Sequence, residues 1–481
     1  MNNIIKASVS TTMIALLAAC ANFSGIQSDV ALRQVSSIAS DESLPGQQGL
    51  WPTLDWATDI GGSALQALIT EALAANPTLQ IAAARVNAAT AMEQSARAAA
   101  GPTVGASLSS TYQRYTENGI IPPPLAGQYR SDNQLALNFA YDFDFWGRHA
   151  AALRSAQAQG QAAQAEQYAT RLVLASAVAR GWVQLARQQG QWELTRQQLA
   201  ARQRIDQLTQ RRFAAGLDTQ SDNEQARLLI ASLSNEQALW QEAISMTRNQ
   251  LAALLGQGPD RGLRIMPGQL PVPVALNIGL PDALPAGLLG RRPDIVAARW
   301  RVEAAQGEFD AGKAQFYPNV NLMAFAGFSS LGLSNLLQAG SGVVGIGPAI
   351  RLPVFENGAL RAQLKGRVAA YDGAVGAYNQ ALTDALHDVA DQVSALRSIG
   401  QQDAHSLTAT TAAANSLQLA RERERIGTTN MLPVLAAEIA LLSQQKMTLD
   451  LQARRSESRI GLIKALGGGY SEQSSFPKSS S

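Results

Sequence analysis

Cys20 is the one cysteine in 481 residues, and its position suits one particular reaction. Residues 1–6 carry a single positive charge, residues 7–19 are small and apolar, and the run closes Leu17-Ala18-Ala19-Cys20. Thirteen such residues suit a signal peptide and are too few to span a bilayer. The closing four resemble a bacterial lipobox, which implies that the Cys20 thiol takes a diacylglycerol thioether and that the chain is cut before it; the alternative is a conventional signal peptide with an incidental cysteine. Ala21 follows rather than Asp, which in such lipoproteins directs transfer to an outer membrane. A lone cysteine excludes an intrachain disulfide and a cysteine zinc cluster. Residues 1–19 are therefore expected as signal peptide and 20–61 as a lipidated N-terminal segment.

Other reactive patterns carry little. Gly340-Ser341-Gly342-Val343-Val344-Gly345 fits GxGxxG, but it follows a loop and leads into a strand, the wrong context for a dinucleotide. His149, His387 and His405 are scattered and have no metal-ligand spacing. No Ser-His-Asp arrangement stands out. The carboxylates are thinly spread along helical segments and read as solvated. The residues thus predict no enzyme, no cofactor and no metal. A net charge of +2 gives no electrostatic case for nucleic acid. Charged residues make up 16% of the chain and aromatics 6%, so small residues must do much of the packing.

The elements behind these residues come in duplicate. Pro293 and Pro318 lie 216 residues after Pro77 and Pro102; Gly358, Gly427 and Gly467 lie 211 after Gly147, Gly216 and Gly256. One unit is therefore built twice, with repeats at 62–257 and 286–467, joined by a Pro-rich linker at 258–285. Residues 468–481, rich in Gly and Ser, are expected to be a disordered tail. Each repeat opens with a helical pattern broken at Asn76-Pro77 or Arg292-Pro293. Each continues with a proline-free run, 148–213 and 359–426, of good helix formers. Such a helix is about 100 Å long. A short break at Gly216 or Gly427 and a returning helix follow.

Between the helices the period falls to two. Leu135, Leu137, Phe139, Tyr141, Phe143 and Phe145 alternate with small or polar residues, as in a strand with one face on lipid and the other on water. Strands are expected at about 104–114, 133–146, 319–329 and 343–355. Pro348 removes one ladder hydrogen bond from the last of these. No later stretch is apolar enough for a membrane helix, so any crossing must be by a closed barrel. Single-chain barrels have at least about eight strands. Four strands leave raw edges, so other copies must complete the barrel.

Several segments resemble the outer membrane factors, the TolC-like exit ducts, and among them the NodT-type lipoproteins of RND efflux systems. They are Ala72-Leu73-Ala74-Ala75-Asn76-Pro77, Leu289-Gly290-Arg291-Arg292-Pro293-Asp294-Ile295, Phe316-Tyr317-Pro318, Leu352-Pro353-Val354-Phe355 and Leu466-Gly467-Gly468-Gly469. The resemblance implies an α+β membrane protein. Each protomer would give four strands to a trimeric 12-stranded β-barrel in the bacterial outer membrane, and long helices to a periplasmic α-barrel with a mixed equatorial region. It implies a homotrimer, contact with outer membrane lipids, a periplasmic adaptor and an inner-membrane RND-type transporter. Adaptor hairpins would dock at the tips, Gly216, Leu217, Gly427 and Thr428. Family members close this end with acids six or nine positions past the second glycine, where this chain has Pro433 and Ala436. Closure is instead expected from Asp222, Arg227 and Leu432, unless Asp222 caps its helix. The function expected is a passive duct for small-molecule efflux. The alternatives are the duct of a type I protein secretion system, or a non-channel periplasmic scaffold of coiled-coil helices. A scaffold would not need the bulky face from Leu135 to Phe145.

Overall fold

The computed structural model describes residues 23–34, 37–39, 42–44, 50–268, 284–353 and 356–472. Cys20 and the signal segment lie outside them. Helices α1 (Thr58–Ala75) and α2 (Pro77–Ala99) lead into strands β1 (Thr103–Arg114) and β2 (Tyr129–Phe143). Helix α3 (Arg148–Ala214) and returning helix α4 (Gln220–Leu254) complete the first repeat. A short α5 (Pro259–Leu263) opens the segment read as linker, of which 269–283 lie outside the described residues. The second repeat runs α6 (Leu284–Arg291), α7 (Pro293–Ala314), β3 (Asn319–Leu331), β4 (Gly342–Arg351), α8 (Asn357–Arg425) and α9 (Met431–Ala465).

Two compact units result, each drawing on both repeats. One comprises residues 1–32, 85–163 and 298–378; the other comprises 33–84, 164–297 and 379–481. In the first, β1-β2-β3-β4 form one antiparallel sheet in sequence order. The β2–β3 pairing, from Asp132 opposite Leu331 to Phe143 opposite Val320, joins the repeats. Beside it, Phe23 and Ile26 pack with Phe309, Phe316, Leu364 and Val368, so the N-terminal segment is docked from its first described residue.

The strand ends differ from the alternation in the sequence. β2 stops at Phe143 because Asp144 turns to cap α3: its carboxylate accepts the N–H groups of His149 (3.1 Å) and Ala150 (2.8 Å). Phe145 therefore leaves the strand, though its ring still stacks on Phe143. β4 stops at Arg351; Val354 and Phe355 lie outside the described residues. Pro348 sits in β4, an edge strand of the chain's sheet, where a missing donor is tolerated.

In the second unit, Trp56, Ile60, Leu65 and Ile69 pack with Leu174, Val178, Trp182, Leu185, Leu251 and Leu255. The two repeats fasten their helix ends here in the same way. Asn76 donates to Leu254 O (2.8 Å), and its counterpart Arg292 donates to Ala465 O (3.2 Å). Gly256 (φ +68°) rests against the Ala75 carbonyl, and its counterpart Gly467 (φ +89°) against that of Arg291. Arg292 adds ion pairs with Asp294 and Asp388 that the neutral Asn76 cannot make. Gly467, Gly468 and Gly469 all have positive φ, and they turn the chain back so that Tyr470 is buried beside Tyr168, ring centroids 5.2 Å apart. The disordered tail expected from 468 therefore does not begin there. Its residues 473–481 lie outside the described chain.

Candidate functional site: the sheet faces and the hairpin tips

Register decides which strand residues share a face. Val104 of β1, Phe139 of β2, Ala324 of β3 and Ile346 of β4 lie in one row. Leu108, Leu135 and Phe328 form the next-but-one row, and Phe143, Val320 and Ile350 a row near the opposite end. From the Leu108–Leu135–Phe328 row to the Phe143 end this face is apolar across four strands, which a single strand's alternation could only suggest. The other face holds Thr103, Ser107, Gln134, Asn138, Asp142, Asn319 and Asn321, with Met323, Phe325, Leu331 and Val343 as its large apolar residues.

The apolar face has defined ends. At one, Tyr112 stacks on Tyr129 at 5.7 Å. Just inside them Asn133 is fully buried between Ser110 and Ser330, accepting from Ser110 Oγ (2.7 Å) and donating to Ser131 O (3.1 Å), so its amide is satisfied in the polar row that ends the apolar face. At the other end lie Tyr141, Phe143 and Trp146. The Trp146 ring stacks on Tyr317 at 4.5 Å, and its Nε1 donates to Pro318 O. Phe143 lies ten residue steps past Asn133. At about 3.3 Å each and a tilt near 40°, they span about 25 Å, the height of the lipid-facing band of a barrel, flanked here as there by aromatic girdles. Among the described residues no helix is long and apolar enough to cross a membrane, which says nothing against strands. At the foot of the polar face, Asp142 accepts from Arg148, His149 (3.1 Å) and Asn319 (3.2 Å), so His149 is a structural partner at this junction.

The tips repeat as closely as the helix ends do. Gly216 (φ +72°) and Gly427 (φ +74°) supply the left-handed residue, and the next N–H, of Leu217 or Thr428, donates back to Arg212 O or Arg423 O. This is the Schellman closure, and it needs a glycine-like backbone. Three residues past each glycine stands an N-cap, Thr219 or Asn430. Asp222, at the third position of α4, completes a capping box: its carboxylate accepts Thr219 N–H (2.9 Å) and O–H (2.6 Å). These hydrogen bonds, the side-chain one first, hold Asp222 below the usual carboxylate range. Pro433 occupies the same place in α9, where the first turn tolerates a missing N–H. Arg227 pairs with Glu224 (3.2 Å), and Leu432 N–H donates to Asn430 Oδ1 (3.0 Å). No hydrogen bond or ion pair joins Asp222 to Arg227. Asp218 takes both arms of Arg212.

The profile of the family described as "Outer membrane efflux protein" matches residues 68–257 and 284–468. A fusaric acid resistance protein, FusA, of Burkholderia cepacia is 36% identical over 65% of this chain, which spans 59% of that relative's length. The multidrug resistance outer membrane protein MdtP of Escherichia coli K12 is 30% identical over 87% of both chains. Among solved structures, the outer membrane protein VceC of Vibrio cholerae superposes with a TM-score of 0.78 and 37% identity, covering 87% of this chain and 100% of its own.

Proposed function

The chain belongs to the outer membrane efflux protein family and is an outer membrane exit duct of a tripartite pump, and we propose that it discharges small organic molecules passively through a trimeric barrel. The continuous apolar face of the four-stranded sheet carries the reading, because it demands lipid on one side and leaves edges that only other copies can close. Three copies supply twelve strands around a lumen lined by the small and polar face. The long helices reach into the periplasm, where an adaptor and an inner-membrane transporter deliver cargo. Relatives named for fusaric acid and multiple drugs favour small molecules over a secreted protein.

Cys20 carries the lipid anchor in this reading. Phe23 is seated near the Trp146–Tyr317 girdle, its ring edge-on to Tyr317 at 6.5 Å centroid distance. Three residues reach about 10 Å at most, so the acyl chains enter lipid close to that girdle. Unboiled outer-membrane fractions should show a trimer, with an intact mass that starts at acylated Cys20. Cells lacking the chain should retain a small apolar dye that complemented cells expel. A soluble monomer, or equal retention, overturns the duct.

Gly216, Leu217, Gly427 and Thr428 form the surface offered to the adaptor. Closure sits at the same end, with Leu432 as the apolar element and Asp222 and Arg227 as the polar ones. Asp222→Ala removes the third-position half of the capping box with Thr219 and frays the first turn of α4. Its conductance in planar bilayers should rise; wild-type conductance would leave Asp222 as a cap and nothing more.

A further inference from the structure

The polar face of the sheet contains a band without charge. Between Asp132 toward one end and Asp142 toward the other, β2 turns Gln134, Ala136, Asn138 and Ala140 to this face. Their partners on β1 are all threonine, glycine or serine. On β4 the band holds Val343, Gly345 and Gly347. The six steps from Gln134 to Ala140 make it about 20 Å long at about 3.3 Å each. Into this small lining β3 places two large apolar side chains, Met323, 54% exposed, and Phe325, 43% exposed. Two positions apart, they share one face.

Their neighbours leave open space beside them. Phe325 pairs with Asn138 on one side and Gly345 on the other. A Cβ on Gly345 would lie 2.5 Å from the ring, so the ring occupies the place of a β4 side chain. Met323 pairs with Ala140 and Gly347. No atom lies within 4 Å of where a Gly347 Cβ would be, so a recess floored by backbone opens beside Met323, one row from the Phe325 ring. Asn138 donates to Ser107 Oγ (3.1 Å), and among the described residues its Oδ1 has no partner. Covering a strand glycine explains where the Phe325 ring lies. It does not explain Met323, exposed beside a glycine that it leaves bare.

From this arrangement we infer that Phe325 and Met323 form a ledge inside the barrel that binds uncharged aromatic molecules carrying a hydroxyl or N–H group. The inference rests on the duct reading, in which this face lines the lumen and three copies set three ledges at one height. Only water and what the duct carries reach such a face, and water gains nothing from a thioether or a phenyl ring. An aromatic molecule packs offset or edge-on against Phe325 and makes a sulfur contact with Met323. Its hydroxyl or N–H donates to Asn138 Oδ1. The band disfavours charged molecules, because an ion that sheds water there meets no opposite charge. Closing the ring sets β1 of the next copy beside β4. Every residue that β1 turns to this face from Thr103 to Ser109 is threonine, glycine or serine, too small to fill the recess. Retention on the ledge is brief, since a site within a conduit must be weak enough to leave.

The test is photolabelling of the full-length trimer in lipid nanodiscs. The probe is para-hydroxybenzophenone, an uncharged phenol that bonds to nearby C–H groups under light, and mass spectrometry locates each labelled residue. Met323 should be the main label on the lumen face, and excess indole should remove most of it. Phe325→Ala should lower it about fivefold, the loss of one aromatic pair. Gly347→Leu fills the recess and should also lower it; no atom opposes the new side chain, so this variant serves should Phe325→Ala fail to assemble. Labels at Leu322 and Phe139, on the lipid face, report probe dissolved in the bilayer and should stay constant throughout. A Met323 label that resists indole and persists in assembled variants overturns the ledge alone, as does labelling confined to the lipid face. A wild-type chain that forms no trimer on unboiled gels and expels no dye overturns the duct and the ledge with it.

Discussion

Gly467→Ala should strip the trimer from the outer membrane, a far larger effect than adding one methyl group at an average site. Two costs coincide. Gly467 has φ +89°, where a side chain costs about 1–2 kcal/mol. A Cβ there would also collide with the carbonyl oxygen of Arg291, and because that atom is backbone, no rotamer change relieves it. Overpacking of this kind adds about 1–3 kcal/mol. Together they take about 2–5 kcal/mol from a fold whose margin is about 5–15. The comparison is Gly366→Ala, inside α8 nine residues past its start, where no atom beyond the helix's own backbone lies within 4 Å of a new Cβ. That change should stabilise by about 0.5–1 kcal/mol through helix propensity. Thermal melting of the two purified variants checks both signs; equal melting temperatures would show that the Gly467 turn carries no strain.

Arg292→Met is the second large loss. The guanidinium is 9% exposed and spans three partners: Asp294 (2.6 Å), Asp388 (3.1 Å) and Ala465 O (3.2 Å). Methionine keeps much of the stem and removes every donor. Breaking a fully buried pair costs about 3–5 kcal/mol; here about 2–4 is expected, because both carboxylates still reach water. The loss has a pH signature. Burial opposes ionisation of Asp294, but Arg292 outweighs it by hydrogen bond and charge and holds that carboxyl below its usual range. A depressed carboxyl stabilises the fold above its unfolded-state value, near 4, and the benefit disappears as pH falls through the lower folded-state value. Wild type should therefore lose its advantage over Arg292→Met below about pH 4. An advantage that persists unchanged at pH 3 would assign the effect to packing.

Some of this was written plainly in the chain. The duplication was legible because its landmarks are prolines and glycines, residues chosen for backbone geometry that no neighbour can replace. Gly256 and Gly467 show why: each meets a carbonyl at the same point of its repeat. The long helices were legible because nothing interrupts them. Strand ends were not, because Asp144 belongs to the alternating pattern of β2 and yet serves α3 as a cap. The glycine-rich run after Leu466 has the composition of a loose tail, but its three positive φ values build a turn that buries Tyr470. Asp222 could be read for either role, and geometry shows that its carboxylate is occupied by Thr219. Side-chain contacts between helices were hidden most completely. Glutamines such as Gln191 of α3 look like a wet surface until the helix that buries them is known, and Asp294 and Asp388 are carboxylates whose importance lies in the Arg292 that faces them.

The pairing of β2 with β3 has a consequence for how such a chain could have arisen. A single repeat made as a separate polypeptide would carry one hairpin with two unsatisfied edges, and six of them would offer the same twelve strands as three whole chains. Joining two copies end to end changes none of the ring's hydrogen bonds, but it ends the requirement that every part be identical. Once linked, one copy could keep a neutral Asn76 while the other acquired Arg292, and one hairpin could carry Asp222 where the other took Pro433. A ring of linked pairs therefore has alternating members, free to assign different duties to alternate positions around the same opening.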